Sequence, residues 1–268
     1  MQIRLLGTGG ADGIPGLFSN DEVSRYARAN GGKDIRTRAA ALIDGVLKID
    51  LPPETAMQVV RDGVDPRDWT ALIFTHSHED HCAFSEIQYA LYPFVSADNL
   101  PFSIFANAAV IGMIKERYPL WPMELIETRS FESFRHGPFE ITPVEANHIE
   151  GEDCHNLIVE RDGKRLLYAT DTGVWTEKTF DYMKSTRLDA MIIECTDGFT
   201  PSGYQGHLDV KACLQMVQTL RESGALSDDS PVITTHHSHS GGARHCDLER
   251  ALNPFGVKPG YDGMVLEI

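Results

Sequence analysis

Nowhere in this sequence do two cysteines stand three residues apart, nowhere does an apolar run reach bilayer length, and positive charge is in the minority. Each shortage excludes something. The five cysteines (Cys82, Cys154, Cys195, Cys213 and Cys246) are odd in number and scattered, which reads as reduced thiols in a cytosolic protein, not as a disulfide frame or zinc knuckle. Without a stretch of roughly 20 apolar residues, no transmembrane helix and no membrane partner are expected. The opening MQIRLLGTGG lacks the basic and apolar regions of a signal peptide and starts directly as a strand, so the expected location is cytoplasmic. Lys and Arg total 24 against 39 Asp and Glu, a net charge of −15. That field repels polyanions, so no large nucleic-acid partner is expected, although a small anion still binds where metal ions reverse the local sign. Repeats, low-complexity tracts and linkers are lacking as well. The 268 residues therefore read as one domain, 1–268, and a homo-oligomer is compatible with everything in the sequence.

What is present is an ordinary soluble composition, 42% hydrophobic and 24% charged, enough for a real core. Short apolar runs such as QIRLL, AALI, VLKI, ALIFT, FSIFA, FEITPVEA, HNLIVE, RLLYAT, AMIIEC, PVITT and GMVLEI predict strands. Helical patterns fall at about 54–62, 84–92, 108–116, 175–183 and 209–223. In the last of these Val210, Cys213, Leu214, Val217 and Leu220 follow the spacing of one buried face, between a capping Asp209 and a stop at Gly224. Strands with helices distributed among them predict two sheets in one layered α/β domain.

The chemistry is announced by ALIFTHSHEDH, a buried strand running into His76-x-His78-x-Asp80-His81. Four ligand-type side chains fall within six residues where a strand ends, and a loop there turns neighbours toward one point. One such motif does not fill two metal shells, since a catalytic zinc takes about three protein ligands plus an open position. His148 in EANHIE, Asp171 in YATDTG and a histidine of TTHHSH also follow strand-like runs and are the candidates for the rest. Asp171 suits a bridging role, because a carboxylate has two oxygens.

With these residues the sequence resembles the metallo-β-lactamase superfamily over nearly its whole length. That resemblance implies an αβ/βα sandwich, two mixed sheets flanked by helices, with metals at one edge. GTGGADGIP, ATDTG, GHLD, TTHHSH and GYDGM are further similar to the cyclic-phosphate phosphodiesterases of carbon–phosphorus lyase pathways, relatives of the tRNA 3′-processing endonucleases. By position, the resemblance implies that His76, His78 and His148 hold one divalent metal ion and Asp80, His81 and His236 a second, with Asp171 bridging them. Family members use zinc or manganese, and a mixed histidine and carboxylate shell accepts either.

The expected activity is a phosphodiesterase that opens a small cyclic or nucleotide-like phosphate ester with metal-held hydroxide, such as a ribosyl 1,2-cyclic phosphate. Asp80 would orient the attacking water through its free oxygen. His207, just before the 209–223 helix, matches the family's proton-donating histidine and is the expected general acid for the leaving alkoxide. The alternatives are a tRNA-processing endonuclease, a thioester or lactam hydrolase, and a non-catalytic binding protein on the same fold. Asp50 and Glu194 end strands and are candidates to orient the metal-binding imidazoles. His155 reads as a satisfied core or edge histidine. Gly7, Gly9, Gly10 and Gly13 form a turn that either approaches the site or is only tight, and Asp12 spoils a dinucleotide fingerprint.

One departure stands out. The resemblance implies a structural zinc held by three cysteines and a histidine, but the segment after the glycine turn, LFSNDEVSRYARANGGKDIR, has no cysteine. His239 alone falls far short of a four-ligand shell, so no structural zinc is expected. Residues 17–38 are expected to be a charged loop, and His237 has no assigned role.

Overall fold

The apolar runs pair into two sheets of seven strands each in the computed structural model, which describes residues 1–96 and 101–268. The first sheet contains β1 (Gln2–Gly7), β2 (Ala40–Ile43), β3 (Leu47–Ile49), β4 (Ala71–Ile73), β5 (Ser103–Ala106) and β6 (Leu125–Glu127). The second contains β7 (Phe134–His136), β8 (Phe139–Glu145), β9 (His155–Arg161), β10 (Lys164–Ala169), β11 (Ala190–Glu194), β12 (Val232–Thr235) and β13 (Val257–Pro259). The last strand, β14 (Val265–Glu267), returns to pair antiparallel with β1. Each sheet changes character at one strand. Pairing is antiparallel from β14 through β1 and β2 to β3, then parallel from β3 to β6. In the second sheet it is antiparallel from β7 to β10, then parallel to β13.

Alternation along the strands divides the core. Leu47 and Ile49 meet Leu157, Leu166 and Ile192 between the sheets. On the outer face of the first sheet, Leu42, Leu72 and Ile104 pack with α2 (Thr55–Asp62) and α3 (Ala108–Arg117). On the outer face of the second, Leu167, Met191 and Ile193 pack with α4 (Glu177–Lys184), α5 (Val210–Glu222) and α6 (His245–Leu252). The result is the expected αβ/βα sandwich. Among the described residues no helix is long and apolar enough to cross a membrane, and all five cysteines are free.

Several expectations are corrected. Residues 17–38 are not simply a loop: α1 (Glu22–Asn30) begins at Asp21, whose carboxylate caps Ser24 N at 2.9 Å, and buries Val23 and Ala27 against Ile14. The 84–92 pattern forms a 3₁₀ helix over Phe84–Ala90, and the 175–183 helix starts two residues later because Thr176 takes the cap. The strands β6, β7 and β13 are too short to show a period, and α6 goes unpredicted although its buried face, His245, Leu248 and Leu252, has helical spacing. Asp209 does cap α5, accepting from Ala212 N at 2.7 Å.

Candidate metal centre

Parallel strands leave their side chains' best converging point beyond their C-terminal ends. The loops after β4, β10, β11 and β12 meet there, joined by the loop after β8. Asp50, Asp171 and His236 each follow a strand and turn into left-handed backbone, with φ of +57°, +50° and +55°. A side chain other than glycine rarely accepts that conformation, and here it throws each one out of the sheet toward the cluster.

The structure brings all seven expected ligands together. His76, His78, His148 and Asp171 form one group of converging donor atoms, and Asp80, His81, Asp171 and His236 form another. Asp171 stands between them with one oxygen on each side. Its Oδ1 lies 3.2 Å from His81 Nε2 and 3.1 Å from His236 Nε2, while Oδ2 lies 3.6 Å from His76 Nε2 and 3.5 Å from His148 Nε2. Asp80 Oδ2 faces only the second group, 3.2 Å from His81 and 3.5 Å from His236. Of the seven, His78 is the one exposed to solvent.

The donor set fits metal ions. Each buried histidine spends its outer nitrogen on the protein and aims the inner one at the cluster. His81 Nδ1 is 2.7 Å from Asp50 Oδ2, and His76 Nδ1 is 3.0 Å from Thr75 Oγ1. His148 Nδ1 is 3.0 Å from the Gly206 carbonyl, and His236 Nδ1 is 2.8 Å from Thr196 Oγ1. The inner atoms then crowd one another, with His81 and His236 Nε2 3.3 Å apart and His148 Nε2 3.0 Å from His78 Nδ1. Neutral imidazoles have no reason to gather in this way without a cation between them.

The electrostatics agree. Burial pushes the His76 and His148 pKa values down, which leaves their lone pairs free. Asp80 and Asp171 sit well below the carboxylate range because the surrounding histidines outweigh the cost of burial. His81 is raised well above the usual histidine value, since Asp171, Asp80 and Asp50 overcome its burial.

Both strand-end carboxylates lie behind the ligands. Asp50 takes hydrogen bonds from Thr75 N (2.8 Å) and Thr75 Oγ1 (3.0 Å) besides its contact with His81. Glu194, fully buried, accepts from Thr172 N at 2.7 Å and Leu208 N at 3.1 Å, and its Oε1 lies 2.8 Å from His207 Nδ1. It also receives the Thr196 hydroxyl, which in turn contacts His236. His207 is therefore beside the cluster, as expected, with its ring stacked 5.4 Å from that of His236. Burial lowers its pKa, but the Glu194 carboxylate wins and lifts it to about 9.

Sequence reasoning missed Thr75, Thr196, Glu152 and Tyr204. Glu152 accepts from Ser77 N at 2.9 Å and Asn107 Nδ2 at 2.8 Å, tying the first histidine loop to the His148 loop. Tyr204 donates to the His148 carbonyl. No local pattern in the sequence marks these four, because each acts only through contacts made on folding.

The remaining residues resolve as follows. Gly10 lies against His236, where a β-carbon would stand 3.4 Å from the ring, and its amide bonds the His237 carbonyl at 2.9 Å, so the glycine turn does approach the site. His237 is buried behind it, with its pKa lowered by burial and by Arg36. His239 makes contacts of its own: its Nε2 lies 2.9 Å from Asp12 Oδ2 and its Nδ1 2.9 Å from Asp21 Oδ2. Both nitrogens thus face carboxylates that join the glycine turn to the start of α1. His155 is buried with Nε2 3.2 Å from Asp153, but neither ring nitrogen makes an aligned hydrogen bond, so it is less satisfied than expected.

Residues 41–237 match the model of the family described as the β-lactamase superfamily domain. A search of curated proteins finds no match. Among solved structures, a diphosphatase from the PhnP family is similar with a TM-score of 0.78 and 20% identity, covering 100% of this chain and 97% of that one. Zn(2+)-bound PqqB from Methylobacterium extorquens gives 0.77 and 16%, covering 100% of both chains. Human tRNase Z, short form, gives 0.64 and 17%, covering 100% of this chain and 99% of that one. At these identities the likeness is one of fold.

Proposed function

This chain belongs to the β-lactamase superfamily, matched over residues 41–237, and on that premise we propose that it is a metal-dependent hydrolase of small phosphate diesters, cyclic or nucleotide-like. His76, His78 and His148 would hold one divalent cation, zinc or manganese, Asp80, His81 and His236 the other, and Asp171 both. When bound, two such cations polarise a phosphoryl oxygen, lower the pKa of water toward ~7 and make the cradle net positive toward an anion. The exposed edge at His78 is where a substrate enters.

The observation that carries the phosphoester reading is the His207–Glu194 pair. An alkoxide leaving group needs a proton, and a cationic imidazole 2.8 Å from a buried carboxylate holds one at neutral pH on its remaining nitrogen. Glu194 fixes the ring through Nδ1, which leaves Nε2 as the donor. A thioester, whose thiolate leaves readily, has less need of such an acid, and the net charge of −15 opposes a tRNA-sized substrate. Similarity to a PhnP-family diphosphatase favours a second reading, hydrolysis of a diphosphate.

The test is turnover by zinc- or manganese-loaded protein of cyclic nucleotides, ribosyl cyclic phosphates, bis-p-nitrophenyl phosphate, diphosphates and thioesters. His207→Ala should keep both metals and lose about 10²–10⁴ in turnover on alkoxide-leaving diesters. It should change little on p-nitrophenyl esters, whose leaving group needs no proton. Activity confined to thioesters, or undiminished alkoxide turnover in the variant, would sink the proposal. Loss-free turnover of diphosphates alone would favour the second reading.

A further inference from the structure

Strand β3 carries a lysine where a hydrophobic residue belongs. Leu47 and Ile49 face the inter-sheet core, and Lys48 between them faces the helix layer, fully buried, with its ammonium 5.8 Å from the centre of the Trp69 ring. No carboxylate is in hydrogen-bond contact with its nitrogen among the described residues. Nζ donates instead to two carbonyls, that of Ile49 at 3.2 Å and that of Asp50. Burial pulls its pKa down to about 7 against the opposing pull of Asp50. Such a residue is costly to keep in an apolar layer.

Its position explains the cost. Asp50 is the residue at which β3 breaks into left-handed backbone, φ +57°, a strained conformation for a side chain other than glycine. That kink is what points the Asp50 carboxylate at Thr75 and at His81 Nδ1, 2.7 Å away. Among the described residues Lys48 is the donor to the Asp50 carbonyl, so it braces the kink from behind. Asp50 reaches His81 directly, whereas it reaches the His76, His78 and His148 group only at one remove, through the Thr75 hydroxyl, which lies 3.0 Å from both the Asp50 carboxylate and His76 Nδ1.

We propose that Lys48 is a positioning residue that acts through Asp50 on His81, and so sets the affinity of the subsite of Asp80, His81 and His236 more strongly than that of its neighbour. This rests on the reading of the cluster as a two-cation centre, and not on which ester is hydrolysed. The test is calorimetric titration of metal-free protein with Zn²⁺. Lys48→Met, which keeps the length and removes the donor, is measured in two backgrounds: His78→Ala, which isolates the His81 subsite, and Asp80→Ala, which isolates the other. The expected result is a rise in Kd of about 10–100-fold in the first background and a clearly smaller one, less than about 5-fold, in the second. Equal losses in both, as a merely structural role would give, or no loss in either, would overturn it. If Lys48→Met does not fold, Lys48→Gln, with a donor on a shorter stem, is judged by the same asymmetry. A wild-type chain that takes up fewer than two cations would instead overturn the two-cation reading, and this proposal with it.

Discussion

The two sheets are built alike, yet they treat the carboxylate at the same turn differently. In each, antiparallel pairing gives way to parallel pairing at one strand, β3 in the first and β10 in the second, and that strand is followed by an aspartate in left-handed backbone. Asp171, after β10, reaches the middle of the cluster and offers an oxygen to each subsite. Asp50, after β3, is held one layer back and touches only His81 among the ligands. The difference lies in the neighbouring parallel strand. β4 ends in the loop that supplies four ligands, which fill the space before Asp50. β11 ends in Glu194 and Thr196, which stay behind and leave the centre open to Asp171. One backbone device thus serves once to place a candidate ligand and once to place a support.

The largest expected effect comes from treating both aspartates alike. Asp171→Ala should take metal content below two per chain by elemental analysis and cost several kcal/mol of barrier, at least about 10³ in turnover. Excess metal should not restore it. Next comes Glu194→Gln, which breaks the supporting carboxylate of the second sheet while leaving every candidate ligand in place. His207 has its pKa raised to about 9, so acid-dependent activity is present below that value and is lost as pH rises through it. Nearby cations move this limb down, and without Glu194 burial prevails, so the variant's limb should move further toward acid with both metals retained. A pH–rate profile with an unmoved limb would count against Glu194 as the partner that sets it. Asp50→Asn should be milder, about a 10–100-fold loss of affinity at one subsite that added metal repairs. The smallest is His239→Gln: metal content and turnover hold, while the partly exposed contacts with Asp12 and Asp21 contribute roughly 1 kcal/mol to stability. A large loss of metal in that variant would show that the clamp reaches the centre.

How much of this was legible follows from which signals are local. The loop His76 to His81 announces itself because four ligands share six residues, and β3, β10 and β12 are apolar enough to be seen as strands leading to Asp50, Asp171 and His236. Helix α1 escapes a sequence reading because the face it buries, Val23, Ser24 and Ala27, has only two apolar residues. Its capping aspartate and its tie to His239 are contacts between residues 218 positions apart, which no local pattern carries. For the same reason Thr75 and Thr196 were overlooked: a hydroxyl between a carboxylate and an imidazole matters only once folding has placed all three. Lys48 was visible in VLKID but had no meaning until its nitrogen was found on the Asp50 carbonyl.

The exposure of His78 has a consequence for traffic. It is the one ligand that bulk water reaches, whereas the six others are buried. Exchange of an ion with solution requires ligands to let go in turn, and a ligand that swings outward lets go first. In the proposed two-cation centre the subsite that includes His78 would therefore be the kinetic doorway, exchanging its ion with solution and losing it to a chelator ahead of the inner one.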